Sequence, residues 1–362
     1  MNKHNWTYKK LGEVATFING YPFKPSQWGL RGRKIIRIQN LNNPNAVFNC
    51  YDGDIDSKYL VSNGDVLISW SGSLGVFEWS QEEAIVNQHI FKVVFNKEVI
   101  NKRFFEYVVS SRLNEMKTKV HGITMQHITK KDFDAISIPI PPVEEQERIV
   151  GELDLISSII DKKKAQLSEY DQLAQSIFYT MFGDPITNEK GWELKKLNDL
   201  SNVFAGGDVP KDSFSKTKSE KYSVPIYSNG IDNDGLYGYT AKARVSEPSI
   251  TISGRGTIGF VALRNHPFYP IIRLIVITPI IPIDLVYLKF VCTAMNFKGV
   301  GVAIPQLTVP MIKFANIPIP PFSLQQEFAE KIEAIERQKA LVQQSIDETQ
   351  TMFDYTMDKY FG

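Results

Sequence analysis

The chain has 362 residues, of which 43% are hydrophobic and 22% charged, with a formal net charge of +1, the composition of a globular protein with room for two or three domains. Its two cysteines, Cys50 and Cys292, lie far apart without a CxxC spacing, which argues against a disulfide framework or a zinc site and predicts a cytoplasmic location. The N-terminus lacks an apolar leader, and no uninterrupted apolar run reaches the ~18 residues of a membrane span, so a soluble protein is expected.

After a short opening segment, Trp6–Gly20, the chain continues as brief β-rich runs between Gly, Asn and Pro turns. Lys34–Asn40 and Gly64–Trp70 are examples of such runs. A helical stretch, Asn101–Met116, interrupts them. Residues 1–142 are therefore predicted to form an α+β arm.

A long helix is predicted over residues 143–183, directly after a Pro-Pro pair that suits a first helical turn. Glu144 and Glu145 lie near its start, where the helix dipole favours negative charge. Apolar residues then repeat in a 4-3 heptad rhythm with one lapse, at Lys163, which predicts a coiled-coil seam. The residues predicted to pack in this seam are Ile149, Leu153, Ile156, Ile160, Leu167 and Ile177.

The second half of the chain has the same organisation. Residues 184–321 alternate between β-rich runs and a helical stretch, Leu285–Asn296, and predict a second α+β arm. Residues 322–362 predict a second long helix, with one lapse at Lys339. Its predicted packing residues are Phe328, Ile332, Ile335, Val342, Ile346 and Phe353. The apolar stripe of each long helix is therefore predicted to pack against that of the other. The alternative is that the two helices lie on the surface and each packs on its own arm.

Four landmarks recur in the same order at offsets of 179 to 186 residues, which indicates a tandem duplication. They are the opening segment, a glycine-rich turn, an Ile-Pro-Ile-Pro-Pro hinge and the Phe-Gly end of each long helix: Trp6–Gly20 with Trp192–Gly207, Val66–Gly75 with Ile250–Gly259, Met125–Pro142 with Pro305–Pro321, and Phe182–Gly183 with Phe361–Gly362. The predicted fold class is α+β, with two tandem α+β arms, two long coiled-coil helices and a pseudo-two-fold internal repeat.

Charge is distributed unevenly along the chain. The first arm has 18 Lys and Arg against 13 Asp and Glu, and the second has 15 against 11, whereas each long helix has 4 against 8. Basic surfaces gain affinity for phosphates through counterion release, and acidic helices would be repelled by them. This pattern suggests arms that bind nucleic acid and helices that hold them apart.

No catalytic motif of a nucleic-acid enzyme occurs in the chain. It has no GxxxxGK[ST] loop for ATP, and Ile319 stands where an amino-methyltransferase needs Asp, Asn or Ser before Pro-Pro-aromatic. A weak nuclease-like string, Asp184 with Glu193 to Lys195, lacks its carboxylate in the first half, where Thr7 replaces Glu193. The five histidines show no metal-ligand spacing, so no metal site is predicted. The chain is predicted to bind, not to catalyse.

Two basic arms of unlike sequence, each entered through W-x-x-K-K-L and left through I-P-I-P-P…Q, resemble the specificity (S) subunit of type I restriction–modification enzymes. The resemblance covers essentially the whole chain, and its most specific parts are Ile18–Phe23, Ile138–Ile149, Ser253–Gly259 and Ile317–Phe328. The Glu-Gln that the family has after Pro-Pro is intact at Glu145-Gln146 and reads Leu324-Gln325 in the second copy.

This resemblance implies two target recognition domains, at residues 1–142 and 184–321, held apart by an antiparallel pair of helices at 143–183 and 322–362. Each domain would read one half of a bipartite, asymmetric site in double-stranded DNA. The helices would set the gap between the halves and dock two methyltransferase (M) subunits. S-adenosylmethionine is expected on those subunits, and ATP and Mg on restriction (R) subunits, so no cofactor is expected in this chain. Because the arms differ, a palindromic site is not expected.

Candidate DNA contacts lie in both arms. Glycine-rich turns that let backbone N–H groups approach phosphates, or that need glycine for geometry alone, contain Ser71, Gly72, Ser73, Arg255, Gly256 and Thr257. One group of side chains in the first arm is of the types that contact bases, and the alternative is that its members are solvated residues of a strand. This group is Arg31, Arg33, Lys34, Arg37, Gln39 and Asn40. Matching loops before the two hinges contain Thr124, Gln126, His127, Gln306 and Thr308. Phosphate contacts, or a merely solvated loop, are predicted at Lys211, Lys216 and Lys218.

Two rival functions remain possible from the residues alone. A self-sufficient DNA enzyme would need the catalytic motifs that the chain lacks. A coiled-coil adaptor that binds only proteins would explain the helices but neither the basic arms nor the duplication with divergent loops. Salt dependence separates DNA binding from the adaptor, because phosphate contacts weaken steeply as salt rises.

Overall fold

The computed structural model describes residues 6–43, 45–119, 129–299 and 306–362, with every side chain in them except those of residues 115–119. None of the helices in those ranges combines the length and apolar character that a membrane crossing needs. Contacts between Cα atoms divide the chain into two compact units: unit 1 is Met1–Lys162 with Ser345–Gly362, and unit 2 is Lys163–Gln344. Each unit takes half of each long helix. The four segments predicted from the sequence are consecutive along the chain, whereas the two units are defined by contacts between Cα atoms. The boundaries of the four segments therefore stay a prediction.

Arm 1, the part of unit 1 before the first long helix, is built from short strands with helices between them. Its strands are β1 (Thr7–Lys10), β2 (Thr16–Asn19), β3 (Arg33–Ile36), β4 (Asn49–Tyr51), β5 (Leu60–Val61), β6 (Val66–Ser69), β7 (Gly75–Glu78), β8 (Ala84–Val86), β9 (Ile90–Val94) and β10 (Ser137–Ile140). Its helices are α1 (Leu11–Val14), α2 (Ile38–Asn42), α3 (Lys102–Lys119) and α4 (Lys130–Asp134), and the long helix α5 (Val143–Phe182) follows.

The inner sheet of arm 1 is antiparallel, in the order β2-β9-β6-β7. The outer sheet has the order β4-β3-β8-β5, with β3 parallel to β8. Strand β6 is buried at every residue because cores lie on both its faces. Val66 and Ile68 face the core that contains the phenylalanines of α3, while Leu67 packs with Ile36 and Val86 of the outer sheet. Strands β1 and β10 pair at the end of the arm.

Arm 2, the part of unit 2 between the long helices, repeats this plan. Its strands are β11 (Glu193–Lys196), β12 (Ser201–Ala205), β13 (Val224–Tyr227), β14 (Leu236–Thr240), β15 (Ser249–Ile252), β16 (Val261–Arg264), β17 (Tyr269–Pro270), β18 (Ile275–Pro279) and β19 (Asn316–Ile319). Its helices are α6 (Leu197–Leu200), α7 (Leu285–Ala294) and α8 (Val309–Ile312), and the long helix α9 (Phe322–Phe361) follows.

The two arms share an inner frame and differ in their outer sheets. The inner sheet of arm 2 has the order β12-β18-β15-β16, which matches β2-β9-β6-β7 strand for strand. Strands β11 and β19 pair as β1 and β10 do. The outer sheet of arm 2, in contrast, has the order β14-β13-β17, with three strands where arm 1 has four. The predicted fold class, two α+β arms in an internal repeat, is therefore confirmed.

A buried glutamine joins the hinge to the arm in each unit. Gln146 and Gln325 are each 1% exposed. The Nε2 of each donates to the carbonyl oxygen of the first residue of the Pro-Pro pair, at 2.9 Å in both. Their Oε1 atoms accept from the backbone N–H groups of Asn101, at 2.8 Å, and Asp284, at 2.9 Å, which stand directly before α3 and α7. The glutamine thus fixes the start of the long helix against the start of the arm helix.

Both long helices contain 40 residues. Each begins directly after a Pro-Pro pair and ends at phenylalanine before glycine, as predicted. Gly183 has a φ of +75°, a left-handed conformation that only glycine adopts without strain, and its N–H donates to the carbonyl oxygen of Tyr179 at 2.9 Å. The Phe-Gly sequence is therefore a helix stop.

The residues predicted for the helix seam all have at least partly buried side chains. The buried ones are Ile149, Leu153, Ile156, Ile160, Phe328, Ile332, Ile335 and Ile346. The half-buried ones are Leu167, Ile177, Val342 and Phe353. In unit 1 the seam joins the core of arm 1, and in unit 2 it joins the core of arm 2.

The two long helices pack together in an antiparallel pair. In unit 1 the first half of α5 meets the last turns of α9, where the Lys359 ammonium lies 3.3 Å from a Glu152 carboxylate oxygen and the Tyr360 hydroxyl donates to the same carboxylate. In unit 2 the second half of α5 meets the first half of α9, where Lys339 donates to Asp171 at 2.7 Å. The alternative of two surface helices that each pack only on their own arm is therefore wrong.

Candidate nucleic-acid interface

A glycine-rich loop connects β15 to β16 in arm 2. Gly256 has a φ of +66°, and a Cβ atom built there would meet no atom of the described residues within 4 Å. Arg255 is exposed beside it, and its Nη2 donates to Oε1 of Gln306 at 3.0 Å. The structure thus brings together two candidate residues that lie 51 positions apart in the sequence.

Backbone hydrogen bonds fix the base of this loop. The N–H of Gly254 donates to Oδ1 of Asn229 at 2.7 Å, and its carbonyl oxygen accepts from the N–H of Leu307 at 2.9 Å. The side-chain amide of Asn229 also donates to the carbonyl oxygen of Ile272 at 2.8 Å. Asn229 therefore positions the loop, a role that sequence reasoning missed and that only the Ser-Asn-Gly turn after β13 could have suggested.

Two strained residues lie next to the loop. Ile272 and Arg273 have φ values of +51° and +58°, are not glycine, and are both exposed. Such conformations cost about 1–3 kcal/mol and cluster at ligand-binding sites. A Cβ on Gly254 would lie 3.3 Å from the carbonyl oxygen of Arg273, so the backbone of this second, exposed arginine runs directly beside the loop. Sequence reasoning missed it.

The other candidates in this region have different surroundings. Gly256 and Thr257 form the tip of the loop, and the hydroxyl oxygen of the half-buried Thr257 is itself buried and has no hydrogen-bond partner within the described ranges. Thr308 is half-buried and precedes α8 without a side-chain cap bond. The side-chain hydrogen-bonding groups of this surface therefore come mainly from Arg255 and Gln306.

Arm 1 has a corresponding loop between β6 and β7. Gly72, at a φ of +66°, has the same open surroundings as Gly256, and Ser73 beside it is exposed while Ser71 is half-buried. A positive φ also recurs next to this loop, at His89 (+73°), whose carbonyl oxygen accepts from the N–H of Trp70 at 3.2 Å. The candidates in the loop before the first hinge, Thr124, Gln126 and His127, lie outside the described residues.

The basic group on and beside β3 is largely engaged within arm 1. Arg33 pairs with Glu83 at 2.8 Å, and Lys34 pairs with Glu82 at 2.7 Å, a hydrogen bond that lowers the pKa of the Glu82 carboxyl. Ion pairs at this exposure are weak, so DNA could exchange with the carboxylates. Both cations nevertheless have partners in the free protein.

The neighbouring candidates divide into engaged and available side chains. The Arg37 guanidinium lies over the Trp28 ring, 4.6 Å from its centroid. Asn40 is 3% exposed and donates to two backbone carbonyl oxygens, so it is a structural residue. Arg31 and Gln39 are exposed, and they are the side chains of this group best placed to read bases.

The three candidate lysines also differ. Lys216 has its ammonium 3.9 Å from the Tyr237 ring centroid and donates to the carbonyl oxygen of that residue at 3.2 Å, so it holds its own loop. Lys211 is exposed. Lys218 is exposed beside a cavity of about 460 Å³ that Tyr227, Tyr239 and others line.

A buried arginine supports this cavity, and sequence reasoning missed it. Arg264 is 2% exposed, lies 3.6 Å from the Tyr227 ring centroid, and donates from Nε to Thr251 Oγ1 at 3.1 Å and from Nη2 to the carbonyl oxygen of Asp234 at 2.6 Å. Burial lowers the pKa of Arg264 and raises the pKa of the Tyr227 hydroxyl. The arginine thereby ties the outer sheet of arm 2 to its inner sheet. Over the described ranges, no group of three or more His, Cys, Asp and Glu side chains could hold a metal ion.

Comparisons with known proteins agree with this architecture. A family model described as the type I restriction modification DNA specificity domain matches residues 3–169 and 189–350. Two Mycoplasma pneumoniae proteins named as type I specificity subunits are similar. S.MpnORF507P is 30% identical over 268 residues, or 72% of this chain and 69% of that protein. S.MpnORF89P is 31% identical over 290 residues, or 76% of this chain and 84% of that protein.

A solved structure shows the same fold. The crystal structure of the S subunit of a type I restriction–modification system from M. genitalium has a TM-score of 0.54 to this chain at 14% identity, and the match covers 100% of this chain and 97% of that one. The repeated arms, the helix pair and the family match over both halves lead to one conclusion: this chain belongs to the family of DNA specificity subunits of type I restriction–modification systems.

Proposed function

We propose that this chain is the non-catalytic subunit that selects the DNA site of a type I restriction–modification complex. Each arm reads one half of a bipartite, asymmetric site in double-stranded DNA. The helix pair sets the number of unread base pairs between the halves and docks two methyltransferase subunits, which bind S-adenosylmethionine and methylate adenine. Restriction subunits, where present, add ATP- and Mg-dependent translocation and cleavage. A cytoplasmic location fits these roles.

The observation that carries the proposal is the repeated glycine loop on unlike arms. Both arms present this loop from the same hairpin of the same inner sheet, next to residues with positive φ. The loop of arm 2 presents Arg255 with Gln306, side-chain types that recognise guanine and adenine, and the loop of arm 1 presents small hydroxyl residues instead. A shared frame with different reading chemistry favours two different half-sites.

The helices supply the second support. A helix of 40 residues is about 60 Å long. This length exceeds the distance of about 34 Å that separates half-sites read from one face of the duplex one helical turn apart. Both helices are acidic, with 4 Lys and Arg against 8 Asp and Glu in each, which disfavours direct contact with phosphates. They are therefore suited to spacing the arms and binding partner proteins.

Methylation sequencing tests the proposal. DNA from cells that express this chain with its neighbouring methyltransferase subunit is compared with DNA from cells that express the methyltransferase alone. We expect a new modified-adenine motif of two unlike halves separated by a fixed gap. An assembled complex that yields no such motif would contradict the proposal.

The rival function, an adaptor that binds only proteins, makes a different prediction in solution. A DNA-reading complex should lose affinity for its site by orders of magnitude between about 50 and 200 mM salt, because phosphate contacts release counterions. Binding that is absent at low salt, in a complex shown to be intact, would favour the adaptor.

A further inference from the structure

The two buried glutamines place the arm helices and long helices of both units in register. Gln146 accepts a hydrogen bond from the N–H of Asn101, directly before α3, and Gln325 accepts one from the N–H of Asp284, directly before α7. Asn101 therefore corresponds to Asp284, and Gln146 to Gln325. Residues at equal distances along the sequence from these pairs occupy equivalent positions in the two units. On this count Arg103 in α3 corresponds to Val286 in α7, and Asp154 in α5 corresponds to Glu333 in α9.

In unit 1 an arginine fills the groove between the arm helix and the long helix. Arg103 donates from Nε to Asp154 Oδ1 at 3.0 Å and from Nη1 to Glu106 Oε2 at 2.7 Å. Its guanidinium lies 4.9 Å from the Tyr107 ring centroid. The Tyr107 hydroxyl completes the cluster by donating to Asp154 at 2.5 Å. This is a guanidinium site with one aromatic wall and two carboxylates.

Unit 2 keeps the aromatic ring and one of the two carboxylates of this site, and it has no arginine at the equivalent position. Val286 stands at the position of Arg103, Phe290 at that of Tyr107, Glu333 at that of Asp154, and Lys289 at that of Glu106. A groove of about 470 Å³ lies there, and the residues that line it include Val286, Phe290 and Glu333. Because valine is shorter than arginine, a space remains in unit 2 beside the aromatic ring of Phe290 and the carboxylate of Glu333.

The rim of this groove is acidic. Glu330, Glu333 and Glu336 of α9 all line it, and Lys289 is the one basic side chain among its lining residues in the described ranges. Glu333 pairs with Arg337 and Glu336 with Lys339 of the same helix, each at 3.0 Å, and such exposed pairs contribute little. In the part of the chain that the structure describes, neither Glu330 nor Lys289 makes an ion pair.

We propose that the unit 2 groove receives an arginine side chain from a methyltransferase subunit that docks on α7 and α9. Charge complementarity and the filled copy in unit 1 both support this occupant. A guanidinium stacks on an aromatic ring and binds a carboxylate through two N–H groups, which a lysine ammonium cannot do. The inference rests on the proposed docking of methyltransferase subunits and adds the chemistry of the contact.

One consequence is that the two docking sites differ. At unit 1 the chain's own Arg103 occupies the position, so an incoming arginine would meet a like charge there. Two identical methyltransferase subunits should therefore bind with unequal affinity. The arginine contact strengthens the complex at unit 2 only.

The test is a calorimetric titration of the purified chain with its methyltransferase subunit, with native mass spectrometry to count bound subunits. Val286→Arg places an arginine at the position that Arg103 holds in unit 1, and Glu333→Gln removes the carboxylate. Each is expected to weaken binding of one methyltransferase subunit about ten-fold or more and to leave the other unchanged. Glu327→Gln is the matched control, because Glu327 forms the same kind of exposed pair, with Lys331 at 3.3 Å, and does not line the groove.

The outcomes separate this inference from the proposed function. A wild-type chain that binds no methyltransferase overturns both. A wild-type complex whose two affinities are unchanged by Val286→Arg and Glu333→Gln overturns the groove alone, as does an equal loss in Glu327→Gln. Unchanged circular dichroism and melting temperature of the variants confirm that a loss of affinity is not a loss of fold.

Discussion

At the scale of single residues, the glutamine after each Pro-Pro pair explains why the hinge sequence recurs. Gln146 and Gln325 each satisfy a carbonyl oxygen of the hinge in buried surroundings and an N–H group before an arm helix in partly buried ones. An unpaired polar group in such a place costs about 1–3 kcal/mol. The neighbouring Glu145 and Leu324, which differ between the copies, make neither of these bonds.

Replacing Gln325 with leucine tests this role. The variant leaves the N–H of Asp284 and the hinge carbonyl oxygen without their partner, so we expect the free energy of unfolding to fall by about 1–3 kcal/mol. Urea denaturation followed by circular dichroism measures the change. Gln326→Leu, at the exposed next position, is the control and should be close to wild type. Equal stability of the two variants would contradict the role.

A second residue-scale prediction concerns pH. The Tyr360 hydroxyl donates to Glu152 and holds the pKa of that carboxyl below its ordinary value of 4.5. A lowered pKa in the folded state stabilises the fold above pH 4.5, and the contribution is lost as the pH falls through the folded-state pKa. Tyr360→Phe should therefore cost about 1 kcal/mol of unfolding free energy at pH 7, and this cost should shrink as the pH falls through the folded-state pKa of Glu152.

Denaturation of Tyr360→Phe at several pH values provides the measurement. Tyr355→Phe serves as the control, because Tyr355 is on the same helix with 70% of its surface exposed. A cost that stays constant across the pH range would show that the hydroxyl acts through packing and not through the Glu152 carboxylate.

At the scale of elements, each long helix serves two cores. The first half of α5 contributes Ile149 and Leu153 to the core of unit 1, whereas its second half contributes Phe178 and Phe182 to that of unit 2. Isolated helices are marginal in water and take most of their stability from packing of an apolar face. The heptad seam is thus inseparable from the arm cores.

Leu153 and Leu155 provide a matched pair on one helix. Leu153 is fully buried, and its replacement by alanine should lower the free energy of unfolding by about 2–5 kcal/mol through lost burial and the cavity left behind. Leu155 is 63% exposed, and Leu155→Ala should change it by no more than about 0.5 kcal/mol. Thermal and urea denaturation of both variants measure the difference. Similar effects would place α5 in a different rotation about its axis.

At the scale of the whole molecule, one inner frame carries two different reading surfaces. The inner sheets have the same strand order, and each presents a glycine loop whose tip is open. The outer sheets differ in strand number, and the loops differ in side-chain chemistry. A duplicated frame with divergent surfaces is what recognition of two unlike half-sites requires.

Arg255→Gln tests this division of labour in the assembled methyltransferase complex. Removing an arginine that reads a base should weaken DNA binding by about 1–3 kcal/mol and relax the methylated motif in one half only. Binding titrations and methylation sequencing measure the two effects. Lys331→Gln, an exposed change on acidic α9, is the control and should alter neither. Relaxation of both halves by Arg255→Gln would contradict separate reading by the two arms.

Much of this organisation was determined by the sequence. The repeat, the α+β arms and the long helices follow from local signals, because hinge prolines, heptad periodicity and terminal glycines act on neighbouring residues. These signals also predicted the stripe in which Leu153 and Ile332 are buried. Side-chain availability did not follow from them: Asn40 is a buried structural residue, and Arg33 and Lys34 already have carboxylate partners.

Only the tertiary structure decided the rest, because contacts between residues far apart in the chain carry no local signal. Arg255 meets Gln306, Asn229 holds the loop beside Arg273, and Arg264 is buried against Tyr227. The groove of unit 2 is a further case, because nothing in the sequence marks Val286 as a binding residue. Only the equivalent hydrogen bonds of Gln146 and Gln325 show that Val286 corresponds to Arg103, which occupies the groove in unit 1. The sequence by itself determined the elements and their repetition, and long-range packing decided which side chains remain free to bind.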